Sequence, residues 1–215
     1  MTGTPGHPPD AAQSVEALRP FLVALASGDP TPGGGAAAAL GGALAGALVA
    51  MVSRATAARD PGARDEMMAI AMRADELRER LTGLVTQDMD AYRGVLDVRK
   101  SKQPGEAERA LRRATEVPLM IARHSQSVLT VCETAAARAR ASTLSDLGVA
   151  AALGWAALEA GALTARTNLG DLQDAAFAEA SERELAGLLT SGRDARGRTL
   201  DTITSRTKAR AWPPA

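Results

Sequence analysis

Between Asp29 and Arg54 the chain carries no charged residue, and most of that stretch is alanine and glycine. Leu40, Leu44 and Leu48 recur at spacings of four, with Gly42 and Gly46 forming a small-xxx-small ridge beside them. A segment so slim and so apolar calls for a helix whose neighbours come close. It is long enough to raise the question of a membrane span. Alanine and glycine gain little from lipid, however, whereas spanning helices draw about −0.3 to −0.6 kcal/mol from each leucine-like residue at the bilayer centre. The stretch therefore reads as a buried helix of a soluble protein.

Elsewhere the apolar positions recur at three and four residues rather than alternating, which predicts an all-α fold: a single-domain antiparallel multihelical bundle of about six helices. Aromatic residues make up 2% of the chain against 46% hydrophobic residues, so aliphatic and alanine packing has to build the core. The first helix is expected from about Ser14 to Ser27, with Pro20 as a kink or as its true start. A loop, Gly28 to Pro32, leads to the small-residue helix, which opens at Gly33 to Gly35. After the Asp60, Pro61, Gly62 break an amphipathic helix runs from Arg64 to about Arg99. Lys100 to Gly105 is a polar loop, and Pro104 sits near the first turn of a helix that reaches Arg140 with Pro118 inside it. Two more helices are expected, Ser145 to Leu163 and Thr167 to Thr190. Residues 1–13 read as a disordered leader without the basic and apolar regions of a signal peptide, 14–191 as the helical domain, and 192–215 as a polar tail.

Charge excludes several functions. Lys plus Arg and Asp plus Glu are both 25, so no global field draws in nucleic acid or an anionic membrane, and the scarcity of aromatics removes base-stacking platforms. One cysteine, Cys132, and two histidines, His7 and His124, are too few for a disulfide framework or an ordinary structural zinc site. A reducing cytoplasm, no metal and no nucleic-acid or membrane partner are the expectations.

The most unusual segment is Asp29, Pro30, Thr31, Pro32, Gly33, Gly34, Gly35. Two prolines stiffen the approach, and three glycines let bare backbone run close to another group where a helix begins, so its free N–H groups could hold an anion or a carbonyl oxygen. A tight loop admitting an Ala/Gly helix to a crowded core explains the same residues. Asp88 and Tyr92 lie four apart on one helical face, able to address one ligand or to stand as a solvated acid and a half-buried phenol. Asp146 is a candidate general acid/base, with Thr143 and Asp146 as a capping box the competing reading.

Ser27, Pro30, Thr31, Pro32 and the three glycines, followed by the small-residue helix ending Met51, Val52, resemble the N-terminal signature of the cyclodeaminase/cyclohydrolase family of folate enzymes. Three later stretches agree: Asp88 to Tyr92, Ala114 to Leu119, and Ser145 to Ala151. A fourth, Gly161 to Leu163 with Arg166, Asn168 and Leu169, follows at the expected distance. The resemblance spans roughly Ser14 to Glu182. Departures are Ala36 in place of serine, Ala139 and Arg140 in place of Gly-Asn, Thr164 in place of asparagine, and a missing Leu-Pro-Lys where Arg99, Lys100 and Lys102 keep the positive charge.

What the resemblance implies is an all-helical homodimer with folate sites near the subunit interface, no metal or redox cofactor, and a reaction at the one-carbon unit bridging N5 and N10 of tetrahydrofolate. Asp146 is then the first catalytic candidate and Asp88 the second. Ser145, Tyr92 and the Thr31, Pro32, Gly33, Gly34, Gly35 segment would bind substrate, and Arg166 and Asn168 would hold the pterin or the glutamate tail unless they are an ordinary helix-end charge and cap. Lys100 and Lys102 could hold a polyglutamate tail by point charge. His124 and Cys132 are expected to be structural. The expected activity is hydrolysis of 5,10-methenyltetrahydrofolate to 10-formyltetrahydrofolate. The alternatives are cyclodeamination of 5-formiminotetrahydrofolate and a folate-binding or assembly protein without turnover.

Overall fold

A computed structural model describes residues 11–101 and 104–207. Among them lie six α-helices and one 3₁₀ turn: α1 (Ala11–Leu25), α2 (Gly34–Ala57), α3 (Arg64–Ser101), α4 (Pro104–Arg138), the turn Ala141–Thr143, α5 (Leu144–Leu169) and α6 (Ala175–Arg206). No strand occurs among the described residues. The small-residue helix α2 is central, with α3 and α5 on its flanks and α4 behind; α6 closes the far side against α4 and α5. Gly42 and Gly46 do face a neighbour. A Cβ on Gly42 would lie 2.9 Å from Ser125 Oγ of α4 and 3.1 Å from Leu81 of α3, and one on Gly46 would lie 3.2 Å from the Ala74 carbonyl of α3. The core is aliphatic as expected, with Leu77, Leu81, Leu119, Ile121, Leu129, Leu147, Leu158 and Leu185 fully buried. α2 and the stretch Ala141–Leu169 are long and apolar enough to cross a membrane, and 61% and 44% of their most apolar windows is packed inside the bundle.

Two expected boundaries differ. The break anticipated around Thr164 to Arg166 falls at 170–174 instead, because α5 accommodates its polar residues. Thr164 and Thr167 return their hydroxyls to the carbonyls of Ala160 and Leu163, and Arg166 pairs with Glu182 of α6 at 3.0 Å. Asp174 then caps α6 by accepting from the Phe177 N–H. α1 begins at Ala11, inside the expected leader, and carries Pro20 within it; residues 1–10, with His7, lie outside the described residues.

The larger correction concerns residues 192–206, read from sequence as tail. Their glycines and charges hide a buried stripe in which Gly192, Ala195 and Thr199 face the core. A Cβ on Gly192 would lie 2.3 Å from Leu158 Cδ2. At the end of this stripe Arg206 donates to the carbonyls of Ala136, Ala137 and Ala139, groups that the C-terminus of α4 leaves without helical partners. α6 thus straps the end of α4. Arg206→Ala should lower unfolding free energy by about 1 kcal/mol, and Gly192→Val by about 1–3 kcal/mol through overpacking. Denaturant titration checks both, and unchanged midpoints would return this stretch to the status of a tail.

Candidate active site

The start of α2 is built by Pro30, Thr31, Pro32 and the glycines. Ser27 fixes the approach by accepting the Asp29 N–H and donating to the Ala24 carbonyl. Gly33 occupies the cap position and has no side chain with which to satisfy the first-turn N–H groups. Asp88 of α3 supplies the missing acceptor: its carboxylate takes the Ala36 N–H. The carboxylate lies so close over Gly35 that a Cβ there would be 2.1 Å from Asp88 Oδ1, which is why this position is glycine. By helix geometry the N–H groups of Gly34 and Gly35 have no acceptor within the helix.

Around this point a cavity of about 300 Å³ opens. Pro30, Thr31 and Gly33 to Gly35 form one wall, Asp88 and Tyr92 of α3 a second, and Ala114 of α4 with Thr164 and Asn168 of α5 a third. Burial pushes the half-buried Asp88 carboxyl above its ordinary value, and the Ala36 N–H draws it partly back. Asn168 Nδ2 donates to the Ala114 carbonyl at 2.8 Å, which leaves Oδ1 of the same amide as an acceptor. The wall thus combines backbone N–H donors at a helix start with a carboxylate able to exchange a proton, a phenol and neutral acceptors.

Of the residues singled out in the sequence, Thr31, Gly33, Gly34, Gly35, Asp88, Tyr92 and Asn168 meet here; Pro32 is buried between two of them. Ser145 and Asp146 do not. They occupy the first turn of α5, 22 residues and so about 33 Å from Asn168 at its other end. The capping box does not form either, since Thr143 gives its hydroxyl to the Arg140 carbonyl and makes no cap bond. Within this chain that motif seats α5: Leu147 is fully buried with its carbonyl facing the Cys132 thiol at 3.4 Å, and Gly148 lies against Ile203 of α6. Arg166 is also absent from the cavity, because two residues along a helix turn the side chain to the opposite side, where it meets Glu182. Lys100 belongs to the last turn of α3, two turns past Tyr92, but its side chain and all of Lys102 lie outside the described residues.

His124, half-buried on α4, is held below its ordinary pKa by burial and then by Arg80, Arg73 and Arg123. Burial pushes the Cys132 thiol up to about 12, which leaves no thiolate for chemistry. Among the described residues no group of three His, Cys, Asp or Glu side chains could hold a metal. Sequence reasoning missed Pro30, Ala114 and Thr164 as lining residues; Thr164, one turn before Asn168, was findable from spacing.

A carboxyl whose pKa is raised in the folded state binds its proton more tightly there than in the unfolded chain. Its contribution therefore favours folding at low pH and is lost as pH rises through the folded value. Asp88→Asn keeps an acceptor for Ala36 and removes this dependence. The variant should be at least as stable as the wild type at pH 7, with a flatter decline from acid to neutral pH, measured by thermal unfolding across that range.

Comparison with known proteins places the chain in a family and a fold. Residues 17–187 match the family described as formiminotransferase-cyclodeaminase. The chain is 34% identical over 202 residues to a methenyltetrahydrofolate cyclohydrolase of Methylorubrum extorquens, spanning 89% of this chain and 97% of that protein. It is 29% identical over 217 residues to the formimidoyltransferase-cyclodeaminase of Mus musculus, spanning 94% of this chain but 39% of that larger protein. The crystal structure of a formiminotetrahydrofolate cyclodeaminase from Thermotoga maritima superposes with a TM-score of 0.83 at 29% identity, covering 87% of this chain and 96% of that one. With a matched segment that covers most of the helical bundle and every residue lining the cavity, the chain belongs to the formiminotransferase-cyclodeaminase family.

Proposed function

We propose that the protein is a methenyltetrahydrofolate cyclohydrolase, converting 5,10-methenyltetrahydrofolate to 10-formyltetrahydrofolate, with Asp88 handling the proton. The observation that carries this reading is the partly desolvated Asp88 carboxylate, set at a helix start inside the cavity. Water adds to the cationic methenyl carbon and gives its proton to Asp88. The adduct then collapses by breaking the bond to N5, which is protonated as it leaves, and one proton per turnover goes to solvent. Tyr92, Thr164 and Asn168 would orient the pterin and the water. The 34% identity to a cyclohydrolase over nearly its full length supports this reading over cyclodeamination of 5-formiminotetrahydrofolate. That second reaction passes through the same methenyl species, and the structural relative is named for it. The reading carries with it a cytoplasmic protein that needs no metal or redox cofactor.

A homodimer belongs to the same proposal. Along α2 the residues Ala37, Leu40, Leu44 and Met51 lie on the side away from the core, and along α5 Val149, Ala152, Ala156 and Leu163 do likewise, with Glu159 at the edge of that stripe; Leu44 is 47% and Leu163 69% exposed. The two helices together present a largely apolar face, which Met68 and Met72 of α3 extend. The antiparallel packing of α2 on α5 sets the midpoints of the two stripes, Leu44 and Ala156, at one level. A dyad crossing there and running across the helices would bring Ser145 over the partner subunit's Thr167, and the partner subunit's Asp146 toward the mouth of the cavity. This would give the Ser145–Asp146 motif a part in the site.

Loss of methenyltetrahydrofolate absorbance, corrected for spontaneous hydrolysis, tests the reaction, with ammonia release from 5-formiminotetrahydrofolate followed alongside. Asp88→Asn should lower kcat/KM by about 10²–10⁴ without loss of fold, and the wild-type rate should fall as acid protonates Asp88, a fall the variant lacks. Unchanged turnover in that variant would remove Asp88 from the mechanism, and ammonia release without hydrolysis would favour the deaminase. For the dimer, Ser145→Cys with Thr167→Cys should yield a disulfide-linked dimer on a non-reducing gel. Within one chain these positions are about 33 Å apart, far beyond the roughly 7 Å a disulfide can bridge. A monomer in light scattering that forms no such bridge would overturn the interface.

A further inference from the structure

Pro118 lies in the interior of α4, where a proline normally weakens a helix. It has no N–H to give to the carbonyl four residues earlier, and its ring crowds that carbonyl away from the helix axis. The residue four earlier is Ala114, which lines the cavity and whose carbonyl takes the Asn168 side-chain amide at 2.8 Å. The acceptor freed by the proline is thus the one that α5 uses. Close approach makes the reach possible for so short a side chain. At Gly161, two turns before Asn168, α5 comes so near α4 that a Cβ would lie 3.0 Å from the Ala122 nitrogen and 3.1 Å from the Pro118 carbonyl.

We infer that Pro118 is a positioning residue for the candidate active site: by exposing the Ala114 carbonyl it fixes the Asn168 amide so that Oδ1, not Nδ2, faces the ligand. An asparagine amide has two nearly isosteric ends, and an untethered one can offer either. Tied through Nδ2, Asn168 adds an acceptor beside the Asp88 carboxylate. The wall then favours a ligand edge rich in N–H donors, such as an aminopyrimidinone ring. This deepens the reading given under the proposed function and rests on it only for the choice of substrate.

A double-mutant cycle between positions 118 and 168 tests the inference, read by thermal unfolding and by turnover. Asn168→Ala should lower the melting temperature in the Pro118 chain, where the Ala114 carbonyl loses its donor, and leave it unchanged in the Pro118→Ala chain, where the new N–H of residue 118 serves that carbonyl. Pro118→Ala alone should not lower the melting temperature, yet should cut kcat/KM for methenyltetrahydrofolate about tenfold, as one hydrogen bond near 1.4 kcal/mol would, and the double variant should be no slower than Asn168→Ala. In NMR spectra the Asn168 side-chain amide should exchange with solvent faster in Pro118→Ala. Pro118→Ser provides a second background, since any residue with an N–H closes the same bond. Equal melting-temperature losses from Asn168→Ala in the proline and non-proline backgrounds would overturn the inference. That thermal arm also decides the matter if the wild type proves inactive on the folate, which would sink only the proposed function.

Discussion

The structure depends on how little stands out from the inner sides of α2. Gly46 lets the backbone of α3 at Ala74 and Arg78 come into near contact, and Gly42 makes room for the Leu81 side chain of α3 and the Ser125 hydroxyl of α4. Such closeness forgoes the area that large side chains would bury, and the chain recovers it from the aliphatic residues of α3 to α6, Leu77, Leu81, Leu129 and Leu158 among them. The short distance between the two helices also lets a side chain as short as Asp88 reach over to the first turn of α2. With larger residues on α2 the carboxylate would fall short of the Ala36 N–H, and the glycine start would have no cap.

Helices were the part most readily read from the sequence, because apolar positions at three and four residues report directly on one-sided burial. The breaks at Pro30 to Pro32 and Asp60 to Gly62, and Pro104 at the opening of α4, follow from backbone chemistry alone. At the ends of α5 and within α6 the pattern misleads for one reason: polar residues and glycines there do not end a helix. Thr164 and Thr167 bond back to their own helix, and Gly192, Arg198 and Arg206 bury or pair against neighbours that lie far away in sequence. Only tertiary packing decides such cases.

The site divided in the same way. Asp88, Tyr92, the glycine segment and Asn168 come from three helices, and the family resemblance named them where spacing alone would not. Arg166 was grouped with Asn168 because the two are near in sequence, whereas the turn of a helix sets them on opposite faces. Among the departures whose side chains the structure describes, Thr164 is the one that lines the cavity. Ala36 contributes through its backbone, and Ala139 and Arg140 lie at the far end of α4, near Arg206 and Thr56. Loss of the polar groups at 139 and 140 therefore leaves unchanged the lining that this chain itself gives the cavity.

The Asp88 cap ties local order to the state of a single proton. While the group is ionised, the Ala36 N–H points at a full negative charge at the positive end of α2, a bond roughly twice as strong as one between neutral partners. When the group is protonated, that attraction drops to the ordinary one of a neutral acceptor. The wall of the cavity and the acid within it are one object, so the charge on Asp88 is felt directly by the backbone at the start of α2.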